Sequence, residues 1–232
     1  MPDLAWSLPV ARWSAWNAET SAALDVSFIE PMLRRRLSTL SKMGLKVAND
    51  CAPVGQPVRV IFASRHGESR RTTELLKAQA QDPMQPLSPN AFSLSVLNAA
   101  AGVFSMMRGD HSNATALAAG SETLGYALLE AFAQYASDPQ APVLVIYADE
   151  PPDPIYASVD DTDAPSGALA LWIADDAPGV LECRVRSSEQ APDRPRYPRQ
   201  LNAALHCLET RQPTCWEGAR SNWSWHWRDK KA

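Results

Sequence analysis

"LSPNAFSLSVLNAAAGVFSMMRGDHSNATALAAGSETLGYALLEA", residues 87–131, decides the fold. Its uncharged first part, 91–107, is apolar nearly all round, which predicts a helix buried in a core. Ala99, Ala100, Ala101 and Gly102 within it would let another backbone approach closely. Gly109 then opens a turn and 113–118 reads as a short strand. Leu124, Ala127/Leu128, Ala131/Phe132 and Tyr135 mark one face of a second helix. Enzymes present nucleophiles where a strand runs into a helix N-terminus. Here Leu117 and Ala118 occupy that junction, and neither side chain can attack.

Upstream, "PVRVIFAS" (57–64) is a β-branched run that predicts a strand. "RTTELLKAQAQ" (71–81) predicts a helix with Thr72 or Thr73 as N-cap. From Pro31 to Cys51, apolar residues recur at spacings of three and four, as in one helix. Arg34, Arg35, Arg36 and Lys42 fall largely on its other faces, as a solvated basic surface or a site for an acidic partner. Downstream, "APVLVIYADE" (141–150) is a continuous apolar strand of the kind covered on both faces. "SGALALWIADD" (166–176) and "GVLECRVRS" (179–187) read as an antiparallel pair around the turn at 175–179. Residues 188–200 read as a surface loop, and "QLNAALHCLET" as a short helix. In the tail, Trp223, Trp225 and Trp227 alternate, which places three indoles on one strand face, for packing against the core or as a stacking platform for a ligand. Strands alternating with helices predict an α/β fold, a mixed sheet flanked by helices. The expected organisation is one domain over 1–232, with a core of about 28–187 and a C-terminal helix and strand within 200–228.

The net charge of −4, with acids and bases mixed, argues against nucleic acid as the main partner. Cys51, Cys183, Cys207 and Cys215 match no metal-ligand spacing and suit reduced thiols in a cytoplasmic protein. Cys207 and Cys215 could pair if oxidised. The N-terminus lacks the pattern of a signal peptide, and no apolar run reaches the roughly 20 residues of a membrane span. Nothing in the sequence calls for a cofactor or a metal.

Two motifs suggest chemistry. "VRVIFASRHGES" places Arg65-His66-Gly67-Glu68 after a strand and resembles the signature of histidine phosphatases. In that reading His66 would accept a phosphoryl group and Arg65 would clamp it. His111, His206 and His226 do not follow an apolar strand, as that family's second histidine does.

The longer segment 87–131 resembles the N-terminal half of β-ketoacyl synthases, which have the thiolase-like fold. More closely, it resembles the short ketosynthase-like chain length factors of bacterial aryl polyene clusters. The resemblance extends through most of 28–176, in order. Thr115-Ala116 leads into Leu117-Ala118-Ala119, and Leu124-Gly125-Tyr126-Ala127 follows in the helix. The resemblance puts Leu117 or Ala118 at the nucleophile position, so the catalytic cysteine is missing. His206 and His226 lie outside the family's histidine motifs. It therefore implies a non-catalytic subunit in fatty acid or polyketide chain elongation. Its partners would be an active ketosynthase, in a heterodimer, and an acyl carrier protein reached through that complex. The strand Asn113, Ala114, Thr115, Ala116, Leu117, Ala118 would pair across the interface. Phe92, Leu94, Val96, Leu97 and Phe104 would shape the acyl pocket.

Overall fold

The computed structural model describes residues 3–19, 21, 23–84, 86–156, 165–188 and 197–230. In chain order the elements are β1 (Leu4–Asn17), α1 (Pro31–Arg36), α2 (Thr39–Cys51), β2 (Arg59–Ala63) and α3 (Ser69–Gln81). Then come α4 (Pro89–Ser93), α5 (Ala99–Arg108), β3 (Ala114–Leu117), α6 (Thr123–Ser137) and β4 (Val143–Asp149). The chain continues through β5 (Gly167–Ile173), β6 (Gly179–Ser187), α7 (Gln200–Thr210), β7 (Thr214–Glu217) and β8 (Ser221–Asp229). The eight strands form a mixed sheet in the order β3-β2-β4-β5-β1-β6-β8-β7. β3, β2 and β4 run parallel, and the other pairings are antiparallel.

Helices cover both faces of the central strands, so those strands have no solvent side and read as unbroken apolar runs. In β4, Val143, Val145 and Tyr147 join one core with α6 and α7. Leu144, Ile146 and Ala148 join a second core with α2 and α5. β5 splits its side chains the same way. In β1, Trp6, Leu8 and Val10 enter the first core, but so do Trp13 and Ala15, which have the opposite parity. A register shift between Val10 and Arg12 accounts for the change. An extra residue at a bulge turns the following side chains over.

Four local expectations are corrected. β5 and β6 are not a hairpin: β1 lies between them and pairs with both. The expected helix over 31–51 is two helices. Ser38 is extended, and its hydroxyl accepts the Ser41 N–H at 3.0 Å, which starts α2 afresh. The expected helix over 91–107 is also divided, with α4 ending at Ser93 and α5 beginning at Ala99. Nor is that segment buried all round, since Phe92 is 58% and Met106 71% exposed. Finally, α3 begins at Ser69, and Thr73 donates back to the Ser69 carbonyl rather than capping the helix.

The indole stripe is for packing and not an exposed platform: Trp223, Trp225 and Trp227 are buried in the first core. Trp223 lies so close to α6 that a Cβ at Gly125 would sit 2.4 Å from its ring. Only glycine fits that contact. α7 and β8 form where the helix and strand were expected, and part of the loop expected over 188–200 lies outside the described residues. The cysteines are free thiols.

Candidate functional site

β3 is an edge strand bonded only to β2. The Val60 N–H donates to the Asn113 carbonyl at 3.0 Å, and the Ser64 N–H to the Leu117 carbonyl at 3.2 Å. By alternation, the N–H and carbonyl groups of Ala114 and Ala116 point out of the sheet. The strand carries no Lys, Pro or inward charge, the usual guards against edge pairing. Side chains alternate too. Thr115 lies on the α6 side, where its hydroxyl meets the Gln134 amide at 3.2 Å. Ala114 and Ala116 share a face with Val60 and Phe62, toward the second core.

The strand ends in a tight turn. The Ala119 N–H donates to the Thr123 hydroxyl at 2.8 Å, and that hydroxyl donates to the Gly120 carbonyl at 2.7 Å. A 3-10 turn, Gly120–Glu122, then feeds α6. Thr123 is buried and pins the junction; the sequence signalled it only as a threonine at a helix start.

The geometry separates Leu117 from Ala118. Leu117 pairs beside Ala63, on the sheet face that α6 covers. Ala118 is exposed and lines a cavity of about 260 Å³ with His66, Gly67, Leu97 and Tyr156. Of the five acyl-pocket candidates, only Leu97 reaches this cavity. Leu94 and Phe104 are buried in the second core, whereas Phe92 and Val96 are exposed.

The opposite cavity wall is the turn after β2. Gly67 has φ +54°, and a Cβ there would meet Leu97 Cδ1 at 3.1 Å, so the turn requires glycine. The Gly67 N–H donates to the Ser64 hydroxyl at 2.9 Å, and that hydroxyl donates to Asp149 Oδ1 at 3.2 Å. The His66 backbone N–H also donates to Asp149, at 3.2 Å. Burial pushes the Asp149 carboxyl above its usual range, and the neighbouring His66 pulls the other way. Glu68 accepts hydrogen bonds from Ser38 at 2.7 Å and Ser41 at 2.6 Å, tying this turn to the α1–α2 junction. The Arg65-His66-Gly67-Glu68 segment is therefore a joint between elements.

No cysteine occupies the junction. Burial pushes the Cys51 thiol up to about 12. It also raises Cys183, Cys207 and Cys215, so all four thiols are protonated at neutral pH and poor nucleophiles. His206 stacks obliquely on Tyr197 at 5.8 Å, and His226 pairs with Glu182 at 3.3 Å on the open sheet face. Neither lines the cavity beside Ala118.

The sequence from residue 9 to 226 matches the β-ketoacyl synthase N-terminal domain. The chain belongs to this family. It is similar to a chain in the complex of the ketosynthase ApeO with its chain length factor ApeC from Xenorhabdus doucetiae. The TM-score is 0.75 at 24% identity, over 95% of this chain and 99% of that one. The ishigamide ketosynthase/chain length factor gives 0.61 at 14% identity, over 78% and 67%. A β-ketoacyl synthase from Burkholderia phymatum STM815 gives 0.57 at 10%, over 76% and 54%. At these identities the likeness shows the shared thiolase-like fold. No curated protein matches the sequence. Family membership leaves the phosphatase reading of His66 without support. Among the described residues, no helix is long and apolar enough to cross a membrane.

Proposed function

We propose that this chain is a non-catalytic, ketosynthase-like chain length factor. It pairs with an active β-ketoacyl-ACP synthase and helps shape the acyl pocket during polyketide or fatty acid elongation, of the aryl polyene type. The observation that carries this reading is the junction itself. Ala118 stands at the mouth of the cavity where a nucleophile would be presented, beside an unguarded edge strand. An alanine cannot hold a thioester, and a protonated, buried thiol elsewhere cannot substitute.

The outward-pointing backbone of Ala114 and Ala116 suits strand addition across an interface. The exposed Phe92, Val96, Met106 and Met107, on α4, α5 and the link between them, supply apolar surface for a partner. Leu97 is the candidate best placed to limit the acyl chain, because it alone of the five lines the same cavity as Ala118. The whole chain acts as one cytoplasmic domain, and the acyl carrier protein reaches it through the ketosynthase.

The test is coexpression with a β-ketoacyl-ACP synthase, followed by affinity purification and size exclusion. A stable one-to-one complex is expected. The chain alone, incubated with acyl-loaded carrier protein, should show no acyl adduct by intact-mass spectrometry. An adduct mapped to 112–121, or a well-behaved monomer that ignores ketosynthases, would overturn the reading.

A further inference from the structure

β4 is apolar from Val143 to Ala148 and then ends on an acid. Asp149 is 1% exposed, the most deeply buried carboxylate among the described residues. Burying such a group is costly unless its oxygens are hydrogen-bonded. Two bonds converge on one of them: the Ser64 hydroxyl and the His66 backbone N–H each donate to Asp149 Oδ1 at 3.2 Å. His66 and Arg199 offset a further part of the burial by their charge. The sheet does not need these contacts, because β2 and β4 already pair up to Ala63 and Tyr147. An apolar side chain would fill the end of β4 without that cost, so the acid is accounted for by what it holds.

It holds the turn after β2. Ser64 is fully buried and joins three elements. Its N–H donates to the Leu117 carbonyl at the end of β3, and its hydroxyl donates to Asp149 while accepting the Gly67 N–H at 2.9 Å. Leu97 rests directly on that turn, since its Cδ1 would be 3.1 Å from a Cβ at Gly67. The link carrying Leu97 is held from the other side by the Thr72 hydroxyl, which donates to the Ser95 carbonyl at 3.2 Å. His66, Gly67 and Leu97 line the cavity beside Ala118, and Asp149 does not. A continuous set of bonds and contacts therefore runs from a buried carboxyl oxygen to the side chain at the cavity wall. Close-packed contacts of this kind transmit small displacements rather than absorbing them.

We propose that Asp149 is a positioning residue that sets, through Ser64, His66 and Gly67, where Leu97 stands and so how long an acyl chain the cavity admits. This rests on the reading of that cavity as part of an acyl pocket. The role belongs to the acceptor oxygen: a carboxamide oxygen would serve both donors.

The test uses the full chain coexpressed with a β-ketoacyl-ACP synthase. Carrier proteins bearing a graded series of linear acyl chains are offered to the purified complex, and acyl transfer to the ketosynthase is followed by intact-mass spectrometry. The wild-type pair should show a length above which loading falls steeply, because a pocket discriminates one methylene by about tenfold or more. Asp149→Ala and Ser64→Ala should each raise loading of the first excluded length about tenfold. Both remove the same tether, so the double variant should do no more than the stronger single one. Asp149→Asn should match wild type. Thr214→Val removes another buried hydrogen bond, 2.9 Å to the Ala203 carbonyl beside the far edge strand, and should leave the cut-off unchanged. Where Asp149→Ala does not assemble, Ser64→Ala, which only trims a hydroxyl, decides. An unchanged cut-off in the Ser64→Ala complex would overturn the proposal alone. So would a shift in Asp149→Asn or Thr214→Val as large as that in Ser64→Ala. A wild-type complex that loads every length alike would overturn the acyl-pocket reading and the proposal together.

Discussion

The two ends of the sheet are built on different terms. At the parallel end, β2 and β4 are covered on both faces, and the sheet stops at a four-residue strand of alanines, a threonine and a leucine. At the antiparallel end, β6 and β8 bury one face through Trp223, Trp225, Trp227 and their neighbours. They present the other to solvent, where Glu182 accepts Arg228 at 2.7 Å and pairs with His226. An antiparallel sheet tolerates such a wet face, whereas a parallel one needs both faces covered. The antiparallel end therefore concentrates cohesion within the chain. Both ends finish in a four-residue edge strand, but β7 carries the exposed Glu217 whereas β3 carries no charge, which suits the parallel end to the association proposed above.

That contrast is broken most severely by Trp223→Ala. The indole is fully buried and fills the space left by Gly125. Urea unfolding should show a loss of about 3–5 kcal/mol. A loss under about 1 kcal/mol would mean that the indole stripe is not the centre of cohesion.

Ala116→Asp probes the other end. Ala116 is half-buried on the edge strand, so the isolated chain should lose no more than about 1 kcal/mol. An unpaired charge in the proposed interface should weaken ketosynthase binding by about 3 kcal/mol or more, read by calorimetry. Comparable losses in both measurements would erase the distinction between the two ends.

A smaller effect is expected from Glu150→Gln. Because burial raises the Glu150 carboxyl to about 7, its neutral form is favoured in the folded state. Its contribution is complete below the ordinary carboxylate range and declines as pH rises through about 7. The substitution should stabilise the chain by about 1–2 kcal/mol at pH near 8 and little at pH near 4, the linkage being reduced because Arg70 offsets part of the burial. Thermal melts at the two pH values would show it.

The smallest effect belongs to the solvent face of the antiparallel end. Arg228→Ala removes an exposed partner of Glu182 and should change stability by no more than about 1 kcal/mol. A larger loss in the same urea titration would show that this face carries structural weight.

The sequence by itself determined the features that repeat over a few residues. The unbroken run of β4, the alternation of Trp223, Trp225 and Trp227, and the apolar face of α6 all follow from local period. So did the strand-to-helix junction, because Leu117-Ala118-Ala119-Gly120 offers no other continuation between a short strand and an amphipathic helix. Tertiary structure alone decided which strands meet. "DDAPG" looked like the turn of a hairpin, yet Trp6, Leu8 and Val10 place β1 between β5 and β6. The strand's own alternation does not say which neighbours will bury it. The breaks after Arg36 and Ser93 were likewise invisible to periodicity, because capping hydroxyls at Ser38 and turns at 94–98 outweigh it. That Ala118 lines a cavity with Leu97, while Leu117 sits beside Ala63 on the α6 side of the sheet, depends on the parity of β3 relative to β2. Parity is set by hydrogen bonds between strands some fifty residues apart in the chain, and local sequence carries no record of that pairing.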